Sequence, residues 1–405
     1  MRHLAIFVLW LTALSMTAQT AQPFYDTEPA DSTVLVVPLR QLIETRLDAL
    51  MDDSLLETTQ LGLMVWDLTV DSMLYEHCAR QRMRPASTMK LLTAITALDC
   101  LGKDYLYKTA LYYNGTISQG TLSGDLICVG GMDPMFGTDD MKAFAHSLKQ
   151  MGVKRIQGRI VLDKSMKQQE KWGEGWCWDD DNPTLSPLLC NRKANFAEQL
   201  LTVLKKERLT TSVTVATGTL PSDAKIVCTR SHTIAEVLMK MMKDSDNLYA
   251  ESTLYQIAAT ANNRPAKADD ACVIEEDLIT RAGLDGTHYR IADGSGLSLY
   301  NYLSAECEVM LLRYAWMQTD IYDLLLATLP VAGVDGTLEK RMVDTSAQGN
   351  VCAKTGTVSG ISSLAGYCTA PNGHRLCFAI INQGVRRSRE GRAFQDRVCL
   401  ALTQP

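Results

Sequence analysis

The segment Pro85-Ala86-Ser87-Thr88-Met89-Lys90, followed at once by Leu91-Leu92-Thr93-Ala94-Ile95-Thr96-Ala97-Leu98, constrains the fold more than any other part of the chain. The apolar run carries no charge on any face. A helix made from it must be covered all round, which requires a large surrounding core. Pro85 fits a helix start, where a missing N–H leaves no bond unmade. Residues three apart on a helix share a face, so Ser87 and Lys90 are expected to point into one cleft. A buried lysine loses its preference for the charged form and can accept a proton near neutral pH. The helix N-terminus offers unpaired N–H groups to a developing negative charge. Together these make a nucleophilic serine site that needs no histidine. The two-residue pattern alone is not specific: Ser222-Asp223-Ala224-Lys225 also matches, but beside Pro221 in a polar, loop-like stretch.

The rest of the chain supplies the surroundings. Arg40 to Leu56 has apolar residues at helical spacing, and strand-like runs follow at Leu61 to Leu68 and Ser72 to Glu76. Residues 101–232 are turn-rich and read as short strands, with a helix over Asp139 to Met151. From Thr233 the pattern turns helical, through Leu248 to Ala261, Val273 to Ala282 and Ala305 to Met317. Three strand-like runs, Gly349 to Lys354, Ser362 to Thr369 and Arg375 to Asn382, lead to a last helix from about Arg389 to Leu402. The expected class is α/β (α+β): an antiparallel sheet flanked by helices, with a smaller strand-rich inserted domain. The expected division is a signal segment at 1–20, a first part of the main domain at 21–100, an insert at 101–232 and the second part at 233–405.

Composition narrows the partners. With 405 residues, 46% hydrophobic and 21% charged, the chain can bury a sizeable core, and its net charge of -6 argues against nucleic acid. Met1-Arg2-His3 followed by apolar Leu4 to Leu14 and small, polar Ser15 to Gln22 reads as an export signal, too short to span a bilayer comfortably. The mature protein is therefore expected to be soluble and periplasmic or extracytoplasmic, with at most peripheral membrane contact. The 12 cysteines show no Cys-x-x-Cys pair and no metal-ligand spacing. Mostly buried free thiols are expected, with room for one or two bridges, and no metal or cofactor.

Two further motifs give the first its meaning. Ser245-Asp246-Asn247 lies between two helices, where each residue type would also serve as a cap. Lys354-Thr355-Gly356-Thr357 ends the strand from Gly349, with the glycine expected to let a ligand approach the backbone. Ser-x-x-Lys, Ser-x-Asn and Lys-Thr-Gly in that order resemble the penicillin-recognising serine hydrolases. The long separation of the first two motifs extends the likeness. So do Gly130-Gly131-Met132-Asp133-Pro134, Gly175-Trp176-Cys177-Trp178-Asp179-Asp180, Asp293-Gly294-Ser295-Gly296-Leu297-Ser298 and Leu329 to Leu338. The chain is similar to the low-molecular-mass penicillin-binding proteins of the D-alanyl-D-alanine carboxypeptidase/endopeptidase type, peptidase family S13. It departs in a shorter insert around 190–200 and in Leu299, where relatives commonly carry an arginine.

The resemblance implies a β-lactamase/transpeptidase-like fold and acyl transfer on peptidoglycan stem peptides, with β-lactam antibiotics as inhibitors. It implies Ser87 as nucleophile, Lys90 as base, Ser245 as proton relay and Asn247 as substrate anchor, with Lys354 and Thr355 holding the terminal carboxylate. The N–H groups of Ser87 and Thr357 would form the oxyanion hole. Gly356, Ser295, Gly296, Trp176 and Asp179 complete the expected substrate-binding set. A β-lactamase, or a penicillin- or peptidoglycan-sensing protein without turnover, are the alternatives.

Overall fold

The computed structural model describes residues 38–405 apart from Asp181, Asn262 and Asn263, so the expected signal segment lies outside the described residues. In chain order the elements are α1 (Leu39–Met51), β1 (Gln60–Asp67), β2 (Ser72–His77), α2 (Met89–Leu101), β3 (Leu106–Ser118), β4 (Thr121–Val129), α3 (Thr138–Gln150) and β5 (Arg155–Asp163). Then come α4 (Phe196–Lys206), β6 (Thr210–Thr217), β7 (Lys225–Thr233), α5 (Ile234–Lys243), α6 (Asn247–Thr260) and α7 (Ala268–Arg281). The chain closes with α8 (Ala305–Trp316), α9 (Thr319–Thr328), β8 (Cys352–Val358), β9 (Ile361–Thr369), β10 (Arg375–Gln383) and α10 (Ser388–Thr403).

One five-stranded sheet, ordered β2-β1-β10-β9-β8, is antiparallel throughout and takes its strands from both ends of the chain. Its faces are both covered, as the almost unbroken burial of β9 and β10 requires. Alternation along β9 divides the two cores: Ala365 and Tyr367 face the α2 and α8 side, while Leu364 and Cys368 face α10 and α1. The ten residues Met89 to Leu98 of α2 are all buried, as the uncharged run Leu91 to Leu98 demands. α6 is buried almost along its length, from Leu248 to Ala258.

The second sheet, ordered β6-β5-β4-β3-β7, lies wholly within residues 106–233. It is mixed rather than simply strand-rich. β4–β5 and β5–β6 are parallel, because α3 and α4 carry the chain back between them. The strands are not all short: β3 runs for 13 residues. One face is dry, with Phe136, Phe144 and Phe196 among its core, whereas β6 alternates between exposed and half-buried residues. All 12 cysteines are free thiols, so the room left for one or two bridges is not used. Among the described residues no helix is long and apolar enough to cross a membrane.

Candidate active site

Ser87 lies on a single 3-10 turn, Ala86–Thr88, rather than within the α2 helix that begins at Met89. The break has a steric cause. Ala86 takes a left-handed φ of 51°, and its carbonyl presses on Gly296, where an added β-carbon would sit 1.8 Å away. A non-glycine residue in this region is strained, and such strain concentrates at functional sites. The turn is fastened from below. Thr88 Oγ1 is 2.8 Å from the Pro85 carbonyl and is also hydrogen-bonded to Glu308, while Ser363 Oγ donates to the same carbonyl.

Lys90 is fully buried, and its amine meets three oxygens: Ser295 O at 2.7 Å, Asn247 Oδ1 at 2.8 Å and Ser87 Oγ at 3.0 Å. A neutral amine has two N–H donors and one lone pair. The two carbonyl-type oxygens can only accept, so they take the two donors. The lone pair is left facing the one partner that can itself donate, the Ser87 hydroxyl. Burial lowers the Lys90 pKa to about 8, against the opposing pull of Asp293, Glu251 and Asp246. The same chemistry recurs a few ångströms on. Lys354 Nζ lies 2.8 Å from Ser245 Oγ and 2.8 Å from Thr355 O. Its pKa falls well below the usual lysine value, through burial first and the neighbouring Lys90 second.

Ser245 also holds a left-handed φ, 59°, between α5 and α6. The capping role is taken by Asp246, whose carboxylate accepts from the N–H groups of Leu248 and Tyr249. Arg192, from the segment just before α4, clamps that carboxylate. With the cap supplied next door, Ser245 and Asn247 are free to face the lysines.

Lys354-Thr355-Gly356-Thr357 does not end a strand. It lies inside β8, the last strand of the sheet, which pairs with β9. At Gly356 an added β-carbon would lie 2.0 Å from Ser363 Oγ, 2.7 Å from Pro85 O and 3.1 Å from Ser87 N, so the turn that carries Ser87 packs directly on this glycine. Ser87, Ser245, Thr355 and Thr357 open on a shared cavity of about 320 Å³ with Thr337, Arg341 and Arg392. Thr337 and Thr355 exchange a hydroxyl hydrogen bond of 2.7 Å.

Other expected residues stand elsewhere. Ser295 is fully buried; its carbonyl serves Lys90 and its hydroxyl donates to Asp293, so it supports the site from beneath. Gly296 packs under Ala86 for the steric reason given above. Trp176 donates to Asp293 at 2.7 Å and so fastens the insert to the glycine loop. Asp179 is exposed on the same segment and does not line the cavity. Sequence reasoning missed Thr337, Arg341 and Arg392 as cavity residues: Thr337 stands in the quoted stretch Leu329 to Leu338 without a role assigned to it, and no motif marks the two arginines. It also missed Asp293 as an organiser. That buried carboxylate accepts from Trp176, Ser295, Asn301 and the N–H groups of Gly296 and Ser298. The acid opening Asp293-Gly294-Ser295-Gly296 was the available signal. Among the described residues no group of acids, histidines and cysteines is arranged to hold a metal.

The model of the D-Ala-D-Ala carboxypeptidase 3 (S13) family matches residues 43–188 and 184–404. The chain belongs to that family. The S13 chain is 28% identical to a D-alanyl-D-alanine carboxypeptidase of Actinomadura sp. (strain R39), covering 88% of its own length and 84% of the relative's. The alignment spans 459 residues, longer than the chain itself, so that relative carries segments absent here. It is 25% identical to the carboxypeptidase DacB of Haemophilus influenzae, over 80% of this chain and 85% of that one. The crystal structure of penicillin-binding protein 4 (dacB) from Haemophilus influenzae superposes with a TM-score of 0.79 at 22% identity, covering 90% of this chain and 98% of that one. The fold expected from the motifs is thus the observed one, and this S13 protein is a serine-type D-Ala-D-Ala carboxypeptidase by family.

Proposed function

We propose that the protein cleaves the D-Ala-D-Ala bond of peptidoglycan stem peptides through an acyl-enzyme on Ser87. One observation carries the assignment of roles: the buried Lys90 amine lies within hydrogen-bond reach of the Ser87 hydroxyl and of two oxygens that can only accept, those of Asn247 and Ser295. Ser87 Oγ attacks the penultimate D-Ala carbonyl as its proton passes to Lys90. The N–H groups of Ser87 and Thr357 hold the resulting oxyanion; losing one such donor typically costs on the order of a hundredfold or more in rate. The proton reaches the departing amine through Ser245, which is already hydrogen-bonded to Lys354. Asn247 holds the substrate amide, and Thr355 and Lys354 receive the terminal carboxylate. Among the described residues no carboxylate is bonded to Lys354 in the free protein. An arriving carboxylate would restore its charge, coupling substrate binding to protonation. Water then releases the acyl group.

A β-lactam would acylate the same serine; the Haemophilus influenzae relative has been crystallised with a β-lactam. Export to the periplasm or an equivalent compartment fits this substrate. Residues 101–232 read as a domain inserted into the catalytic one. The test is release of free D-alanine from an N-acylated D-Ala-D-Ala peptide. Release should be blocked by benzylpenicillin and absent in Ser87→Ala; wild-type rates in that variant would remove Ser87 from the mechanism. Fast, repeated turnover of nitrocefin would point instead to a β-lactamase, and acylation without D-alanine release to a sensor.

A further inference from the structure

Between β10 and the first turns of α10 the chain reads Arg386-Arg387-Ser388-Arg389-Glu390-Gly391-Arg392, four guanidinium groups in seven residues of a protein whose net charge is -6. All four arginines are exposed, and among the described residues none has a hydrogen-bonded or ion-paired side-chain partner. Elsewhere the arrangement differs: Arg159, Arg281, Arg313 and Arg341 each hold a carboxylate. The placement is also locally unfavourable. Arg387 and Arg389 stand at the start of a 16-residue helix, where the positive end of the macrodipole disfavours cations, and Glu390 is the lone acid of that turn. An anion set among these groups would offset both effects.

Position gives the anion its identity. Arg386, Arg387 and Arg389 line a cavity of about 640 Å³ together with Thr357, Ser359 and Gly360 of the β8–β9 hairpin. Thr357 is shared with the cavity that contains Ser87, and Arg392, one turn along from Arg389, lines that one. The cavity that contains Ser87 and the one lined by the arginine segment therefore meet at Thr357, with arginines lining both.

We propose that Arg386, Arg387 and Arg389 form a second carboxylate-binding subsite, which takes a free carboxylate of the peptide substrate other than the terminal one at Lys354 and Thr355. The inference rests on the peptidase reading above. Guanidinium suits the task, because its fork of donors matches a carboxylate bidentately. Stem peptides bear such carboxylates on the acyl half, and a cross-linked substrate bears them on the leaving half as well.

The test compares wild type with Arg386→Gln/Arg387→Gln/Arg389→Gln. The substrates are an N-acetylated D-Ala-D-Ala dipeptide, a stem peptide with or without amidation of its internal carboxylates, and a cross-linked dimer with or without amidation of the leaving half. Amidation in one of the two arms should lower wild-type kcat/KM by about tenfold, mainly through KM. The triple variant should show the same loss on the free-carboxylate substrate and no response to amidation, with dipeptide hydrolysis and benzylpenicillin acylation unchanged. The arm that responds identifies the half that is bound. Indifference of the wild type to amidation in both arms overturns the proposal. So does an equal loss on the dipeptide, or a variant defective only in adsorbing a phosphate-rich polymer. A wild-type protein that neither hydrolyses the dipeptide nor is acylated sinks the peptidase reading itself, and this subsite with it.

Discussion

Gly356 and Ser87 are in backbone contact: a β-carbon on the glycine would come within 3.1 Å of the serine nitrogen. The edge strand and the Ser87 turn are therefore fitted to each other before any substrate arrives. A serine proposed as nucleophile on a strained turn needs such a floor, because the turn's own geometry does not hold it.

Gly356→Ala should displace the turn. The β-carbon would overlap Ser363 Oγ and Pro85 O as well, and overpacking of this kind costs about 1–3 kcal/mol. The expected outcome is a lowered Tm together with benzylpenicillin acylation slowed by about tenfold or more. A variant with full acylation rate would show that the contact does not position Ser87.

Ser87→Ala should leave the thermal transition nearly unchanged and abolish covalent labelling. The mass increase seen with benzylpenicillin in the wild type should vanish. The hydroxyl is not a structural tie in the way Thr88 is, since Thr88 is bonded to both Pro85 and Glu308.

Acylation should rise with pH through about 8, because burial brings the Lys90 pKa there and the reactive form is the free base. The linkage runs the same way. Between about 8 and 10.5 the unfolded chain holds a proton on this lysine that the folded one has lost, so stability also rises with pH in that window. Lys90→Arg, which stays charged, should fold yet fail to acylate; stopped-flow acylation across pH decides it.

Two buried acids oppose that trend at lower pH. Burial raises Glu275 and Glu308 to about 8, from an ordinary 4.5. The folded chain keeps protons that the unfolded chain releases, so their contribution is fully present below about 4.5 and is lost as pH climbs towards 8. Glu275→Gln/Glu308→Gln should flatten the fall in urea midpoint across that interval. An unchanged slope would mean that other groups set it.

Trp176→Phe should release the insert from the glycine loop. Asp293 Oδ2 would lose its 2.7 Å indole donor, and an under-satisfied buried carboxylate costs about 1–3 kcal/mol. Because Asp293 also holds the loop whose Ser295 carbonyl binds Lys90, slower acylation should accompany the lower Tm. Loss of Tm with acylation intact would confine Trp176 to packing.

Much of this was legible in the residues. The uncharged run after Lys90 announced a buried helix, and the apolar runs near the C-terminus announced central strands, because burial on all sides leaves a compositional mark. α4 and α9 were not foreseen: α4 falls where the segment was judged shortened, and α9 follows α8 after a break of two residues. The parallel pairing of β5 with β6 depends on α4, so it was hidden with it. Among site residues, those in short motifs were found, while Arg341 and Arg392 reach the cavity from segments with no motif.

Sequence alone determined which hydroxyl, amines and carboxamide would meet, because three short motifs fix residue types at local spacings that the backbone periodicity reads directly. Only the tertiary structure decided what each does there. Ser245 and Lys354 are 109 positions apart and Lys90 and Ser295 are 205 apart. The desolvation that makes a lysine a base, and the steric contact that makes a glycine obligatory, arise from neighbours that no local pattern can supply.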